Sequence, residues 1–258
     1  MKDKPIVSVI IPVYNNAFYI ERAIESVLVQ NVPFELIIID DCSTDSINDV
    51  IDKYKSDSRI YFIRNKINCG VARSRNLGVT MAKGDFIAYL DADDWWMPDK
   101  LEKQLKIMES KKYVICYTER ELVYADGKST GIVLRVMEKI DYRVLRCHNY
   151  ISCSSVMLPT YIAKAVPMCH DELHEDYINW LNILKNYGIA YGIKEPLIKY
   201  RLSENGKSRN HFKSAKMTYG VFRYIGMNKI QSLIFMMSHL VGALVKYKIK
   251  PKIIENET

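Results

Sequence analysis

The chain has 258 residues, is 48% hydrophobic and 26% charged, and carries a formal charge of +7, a balance that supports one good core or two small ones and excludes disorder. Its opening residues, MKDKPIVSVI, hold neither an apolar signal core nor a small-residue cleavage site, so a cytoplasmic protein is expected. The charge is uneven: Lys199 to Lys252 contains twelve Lys or Arg against one acid, Glu204, whereas the rest has 25 basic against 29 acidic residues, a balance of −4.

Through the first half, apolar β-branched runs alternate with helical periodicity, the pattern of βαβ units and a mainly parallel sheet. A strand is predicted over IVSVIIP, a helix over YIERAIESVLVQ, a second strand over FELIIID, a helix over INDVIDKY and a third strand over IYFIRN. GVARSRNLGVTMAKG predicts a helix stopped by Gly84, and DFIAYLD a fourth strand. Pro98 marks the first turn of a helix expected from Asp99 to Ser110. Beyond it, YVICYTERELVYADGKSTGIVL predicts strands about an Asp126-Gly127 turn, and ISCSSVML a further strand. EDYINWLNILKNYG reads as a helix stopped by Gly188, followed by short strands IAYG and LIKYR.

The last stretch differs. Its uncharged run, Ile230 to Val245, is 16 residues long, short of the roughly 20 that a spanning helix needs. With lysines at both ends it fits a helix in the headgroup layer of an anionic membrane, a reading preferred to packing on the core or against a second subunit. The chain therefore divides into residues 1–205 and a basic helical tail, 206–258. Cys42, Cys69, Cys116, Cys147, Cys153 and Cys169 lie far apart, as free thiols would. Cys147, His148, Cys153, Cys169, His170 and His174 share one region but include no C-x2-C pair, so buried thiols and surface imidazoles are expected over a zinc site.

Three predicted strands end in polar groups, PVYNN, DDCSTD and DADD, and in open parallel sheets ligands bind at those ends. Asp91, Asp93 and Asp94 repel one another and lose solvation at one strand end, which calls for a compensating cation. No G-x-G-x-x-G follows the first strand and no P-loop motif is present, so dinucleotide and P-loop chemistries are excluded. What remains is a carboxylate cluster for a hard divalent ion, Mn2+ or Mg2+, whose shell substrate phosphate oxygens complete.

The segments SVIIPVYNN, ELIIIDDCSTD, NCGVARSRNLGVTMAKGDFIAYLDADDWWMPDKLEKQ and HEDYINW resemble the family 2 glycosyltransferases, inverting enzymes of the GT-A fold that use nucleotide-sugar donors; the resemblance covers nearly all of Pro5 to about Arg201. It implies that Pro12, Tyr14, Asn15 and Asp41 hold the nucleotide base, with a preference for uridine. It matches the D-x-D motif to Asp91, Ala92 and Asp93, with Asp93 the direct metal ligand and Asp91 near ribose or metal. The ARSRN element offers Arg73 and Arg75 as donor contacts, and the family's ED pair falls on Glu175 and Asp176, Asp176 being the general base.

Sugar transfer from a nucleoside diphosphate needs a base for the attacking hydroxyl and charge stabilisation on the departing diphosphate, but no general acid. A glycosidase would need two carboxyl groups flanking one bond, and the inventory here suits the transferase. Trp95, Trp96 and Trp180 are expected in packing or as an acceptor platform. The processive synthases of the family carry Q-x-x-R-W and long membrane helices, and this chain has neither; it is expected to add one or a few residues to a saccharide or lipid-linked acceptor in surface polysaccharide assembly, peripherally on the cytoplasmic face of the inner membrane. The alternative is a nucleotide-sugar- or carbohydrate-binding module that has lost turnover. A nucleotidyltransferase would want a Gly-rich loop where PVYNN stands, and nucleic acid is not an expected partner of the basic tail.

Overall fold

The runs VSVIIPV and FELIIID form β1 (Val7–Val13) and β2 (Phe34–Asp40), every residue of which is buried, as strands covered by helices on both faces must be. Alternation decides which face each residue serves. Val7, Val9, Ile11 and Val13 join Leu36 and Ile38 in one core with α1 (Ala17–Leu28), while Ile10, Ile37 and Ile39 join α3 (Val71–Met81) in another. The computed structural model describes residues 4–202, 211–248 and 252–253.

Between these elements lie α2 (Ile47–Ile51), continued by a 3-10 turn Asp52–Tyr54, and β3 (Ile60–Arg64). After α3 come β4 (Phe86–Tyr89), a two-residue β5 (Trp95–Trp96) and α4 (Lys100–Met108). The second half contributes β6 (Ile115–Val123), β7 (Ser129–Leu134), β8 (Lys139–Ile140), α5 (Tyr142–Leu145), β9 (Met157–Pro159) and α6 (Thr160–Ala165). Then follow α7 (Glu175–Tyr187), β10 (Ala190–Arg201), α8 (His211–Tyr224), α9 (Lys229–Lys248) and β11 (Lys252–Ile253).

Strands β3, β2, β1 and β4 are parallel neighbours in that order, and β9 then pairs antiparallel with β4 and β6. The sheet is thus parallel at its first-half end and mixed beyond, with β10 parallel to β6 and antiparallel to β5 and β8. Val13 pairs with Asp40 and Asp40 with Arg64. This register brings the polar ends of β1, β2 and β3 to one rim, where Asp91 follows β4.

Several expectations change. ISCSSVML is mostly a 3-10 turn, Cys153–Ser155, leading into the three-residue β9. IAYG and LIKYR are one strand, β10, with irregular pairing between Ile193 and Ile198 around Pro196, whose missing N–H interrupts the ladder. The helix after Pro98 runs from Lys100 to Met108, inside the expected bounds. Gly84 does not stop α3, which ends at Met81 with Ala82 already extended. Gly84 instead enables close approach: its N–H donates to Ser8 Oγ (2.9 Å), and a Cβ there would sit 2.6 Å from the Ser8 backbone nitrogen.

The tail is not separate from the core. Val221 and Phe222 of α8 lie in the same cluster as Tyr177, Trp180 and Leu181 of α7, and Phe235 of α9 packs against it. The packing that the composition ranked second is therefore present on the inner faces of both helices. The expected boundary between residues 205 and 206, with Lys207, Arg209 and Lys250 of the basic tail, lies outside the described residues. Among the described residues no helix is long and apolar enough to cross a membrane. All six cysteines are free.

Gly84→Ala should destabilise the protein by about 1–3 kcal/mol, because backbone rather than a pliable side chain obstructs the new methyl; urea unfolding followed by circular dichroism measures it.

Candidate active site

At the β1 and β2 ends, side chains hold loops in place. Asp41 is buried and accepts three bonds, from Asn65 Nδ2 (2.7 Å) and Cys69 N (2.9 Å) on Oδ1 and from Gly70 N (2.8 Å) on Oδ2. These tie β2 to the loop entering α3 and leave Oδ2 with capacity for one further donor. Asn15 takes a left-handed backbone, φ 51°, and its Oδ1 accepts from Thr44 N (2.8 Å) and Thr44 Oγ1 (3.2 Å). Pro12 is buried within β1 opposite Ile39, whereas the Tyr14 side chain is exposed.

The DADD segment separates into three differently held carboxylates. Asp94 is buried, accepting from Ser154 Oγ (2.6 Å) and Arg201 N (2.9 Å), and burial together with Asp93 and Asp91 pushes its pKa well above the usual carboxylate range. Asp91 accepts Arg75 Nη2 at 2.7 Å. Asp93 is part-exposed, and burial plus the neighbouring Asp91 charge push its carboxyl up to about 6. Ala92 between them is buried.

Arg75 joins these acids to those of α7. Its Nη1 donates to Glu175 at 3.0 Å, and its side chain is 4% exposed. Arg73, two residues earlier on α3, is exposed. Asn76 completes the connection through a reciprocal amide pair, Nδ2 donating to Met168 O (2.7 Å) and Oδ1 accepting from Met168 N (2.9 Å). The chain leading to α7 is so fixed to α3, with Ala72 N donating to Asp171 at 2.8 Å.

Asp176 occupies the first turn of α7, where unsatisfied backbone N–H groups favour acids; its Oδ1 accepts from Tyr177 N at 2.7 Å. Burial is the larger cause, and the charge of Glu175 the next, that push its carboxyl up to about 7, against the opposing pull of Arg75. A carboxyl group balanced near neutrality can take a proton from a hydroxyl and hold it. The Cys153 thiol beside this cluster is buried and pushed well above its ordinary range, so it stays neutral.

Three supporting residues escape a reading of the sequence. Ser154 Oγ serves Asp94 and also accepts Asp91 N (3.1 Å). Arg201 Nε donates to the Asp93 carbonyl (3.0 Å), and its Nη1 donates to the Ala125 carbonyl in the β6–β7 hairpin. Beneath the loop, Lys100 is fully buried with Nζ 2.6 Å from Gln104 Oε1 and 3.8 Å from the Trp96 ring centre; burial pushes its pKa down to about 7. Only the positive charge at the end of the β10 pattern offered a signal, for Arg201. The tryptophans are packing residues: Trp95, Trp96 and Trp180 are all buried, Trp95 with Arg22 over its ring at 3.6 Å.

Among the described residues no three or more His, Cys, Asp or Glu side chains are grouped to hold a metal ion. Asp93, raised in pKa by burial and a like-charged neighbour, nonetheless suits a Mg2+ or Mn2+ ion, which binds through one or two carboxylates plus substrate phosphates.

Comparison with known proteins identifies the family. A family model for glycosyl transferase family 2 matches residues 8–158. The chain is 39% identical over 224 residues to a putative teichuronic acid biosynthesis glycosyltransferase, TuaG, of Bacillus subtilis, covering 86% of this chain and 89% of that protein. It is 34% identical over 243 residues to the Escherichia coli UDP-Glc:alpha-D-GlcNAc-diphosphoundecaprenol beta-1,3-glucosyltransferase WfaP, covering 94% and 95%. Staphylococcus aureus TarS (residues 1–349) in complex with UDP-GlcNAc superposes with a TM-score of 0.70 at 17% identity, over 95% of this chain and 76% of that one. The mannosyltransferase PcManGT of Pyrobaculum calidifontis, in complex with GDP-Man and Mn2+, gives 0.68 at 16%, over 94% and 76%. The two structural likenesses show the shared GT-A fold.

Arg75→Met should leave Glu175 and Asp91 without their common partner and cost roughly 3 kcal/mol in urea unfolding. It should also move the Asp176 midpoint above about 7, since Arg75 favours the charged form; carboxyl 13C NMR titration reads that shift, and an unmoved midpoint contradicts the electrostatic link.

Proposed function

The chain belongs to glycosyl transferase family 2, and from that membership we propose an inverting, metal-dependent transfer of sugar from a nucleoside-diphosphate-sugar, with UDP preferred, to a hydroxyl of a saccharide or lipid-linked saccharide. The observation that carries this reading is the cluster of Asp91, Arg75 and Glu175 beside Asp176, a carboxyl pushed to about 7. Asp176 takes the proton of the acceptor hydroxyl as its oxygen attacks the anomeric carbon. The bond from that carbon to the diphosphate breaks on the opposite face, the diphosphate leaves with the bonding electron pair, and the configuration inverts.

Asp93, with Asp91 near it, would hold Mn2+ or Mg2+, which supplies charge neutralisation on the departing diphosphate. Asp41 offers its remaining lone pair to the imide N–H of uracil, and the exposed ring of Tyr14 offers a surface for the base. Of the two arginines, Arg75 is assigned the positioning of both acid groups, and Arg73 is left free to meet donor phosphate. The B. subtilis and E. coli relatives support a place in surface polysaccharide assembly, with a lipid-linked acceptor. Peripheral contact with the cytoplasmic face of the inner membrane, through the basic tail, belongs to the same reading.

Replacing Asp176 by Asn keeps its size and cannot accept the proton, so single-turnover transfer should slow by roughly 10²- to 10⁴-fold. Nucleotide affinity, measured by calorimetry, should hardly change, because the lost interaction exists only in the transition state. Near-normal transfer would move the base elsewhere.

Asp93→Ala should abolish Mn2+- or Mg2+-dependent release of nucleoside diphosphate while its circular dichroism spectrum stays that of the wild type. Full turnover by this variant, or by wild type in excess chelator, would refute the metal assignment.

A further inference from the structure

Helix α9 has two unlike faces. The inner one is docked: Ser232 is buried, Ser238 Oγ donates to Cys147 O at 3.2 Å, and the His239 ring stands 4.9 Å from His148 and 5.5 Å from Tyr177. Gly242 lets the helix lie close to the core, since a Cβ there would come within 2.8 Å of His148. On the outer face, Ile230, Leu233, Ile234, Met237 and Val241 are each more than half exposed. Their spacing confines them to a stripe about 100° wide, opposite the docked residues. Five large aliphatic side chains in one exposed row are more than scattered surface apolar residues.

The two tail helices are also basic. Lys213, Lys216, Arg223 and Lys229 are exposed on α8 and α9, and residues 211–248 contain no Asp or Glu. A second copy of this chain would set one cationic surface against another, which like-charge repulsion disfavours. A sheet of anionic phospholipid satisfies both features, headgroups against the cations and acyl boundary against the aliphatic row.

We infer that the stripe Ile230, Leu233, Ile234, Met237 and Val241 is the protein's docking surface for an anionic phospholipid bilayer, with α9 lying in the interface plane and its other face holding the catalytic core. The inference deepens the peripheral contact of the proposed function and rests on that reading, naming the surface and the lipid class. It also fixes an orientation: α9 joins the membrane to α7 through Tyr177, the residue next to Asp176, so the site is held at a constant height above the headgroups.

Flotation of the full chain with vesicles tests this. The wild type should float with vesicles containing phosphatidylglycerol, should not float with phosphatidylcholine alone, and should be released by high salt. Leu233→Glu combined with Met237→Glu should lower the vesicle-bound fraction by about tenfold or more, with unchanged circular dichroism and unchanged sugar transfer to a water-soluble acceptor. Absence of flotation by the wild type, or equal flotation by the double variant, overturns the inference. So does a concentration-dependent dimer that the double variant abolishes, which would make the stripe a subunit contact. Loss of the transferase reading would register separately, as no transfer by either protein with or without vesicles.

Discussion

One buried guanidinium organises the candidate active site of this protein. Arg75, from the interior of α3, bonds Asp91 after β4 and Glu175 at the start of α7. Two segments distant in sequence are thereby tied to one side chain. A buried cation with two carboxylate partners is costly to assemble and far costlier to leave half made, so the rest of the site can vary only within limits that keep all three groups together. Asp176 inherits its position, and part of its proton affinity, from this arrangement.

The same end of the molecule is also ordered before any substrate arrives. Asp41 spends three acceptor positions on the loop before α3, and Asn15 spends its carbonyl on Thr44. Residues that the family resemblance ties to the nucleotide therefore act first as fasteners of their own loops. A donor meeting such loops need not freeze them, and the entropy of ordering does not weigh against its binding.

The parallel half of the sheet was legible because its two central strands, β1 and β2, are fully buried and read as mostly apolar runs, and β2 falls on FELIIID itself. The second half was less so. β5 is two residues long and β9 three, too short for any period to show, and β10 hides its continuity behind Pro196. At the site, Asp91 and Asp93 stood out as acids at a strand end, Asp176 was singled out by the family resemblance alone, and nothing separated Arg73 from Arg75. Two residues along a helix is a turn of about 200°, enough to expose one and bury the other, and which is which depends on elements far away in sequence. Ser154 and Lys100 were invisible for the same reason, since their meaning comes from tertiary contacts alone.

Lys100 and Asp176 have opposite effects on how folding exchanges protons with water. Lys100 titrates near 10.5 when solvated, so at neutral pH the unfolded chain carries its proton and the folded one, with its midpoint at about 7, has lost it from about half the molecules. Its stabilising contribution is complete above 10.5 and is lost as the pH falls through about 7. Asp176 runs the other way, ionised when unfolded and half protonated near pH 7 when folded, so its contribution is complete below about 4 and is lost as the pH rises through about 7. Around neutrality the lysine gives up what this aspartate takes, so within the pair folding passes a proton from one group to the other with little net exchange. The joint contribution of these two groups thus stays nearly level across neutral pH, where either alone would impose a slope.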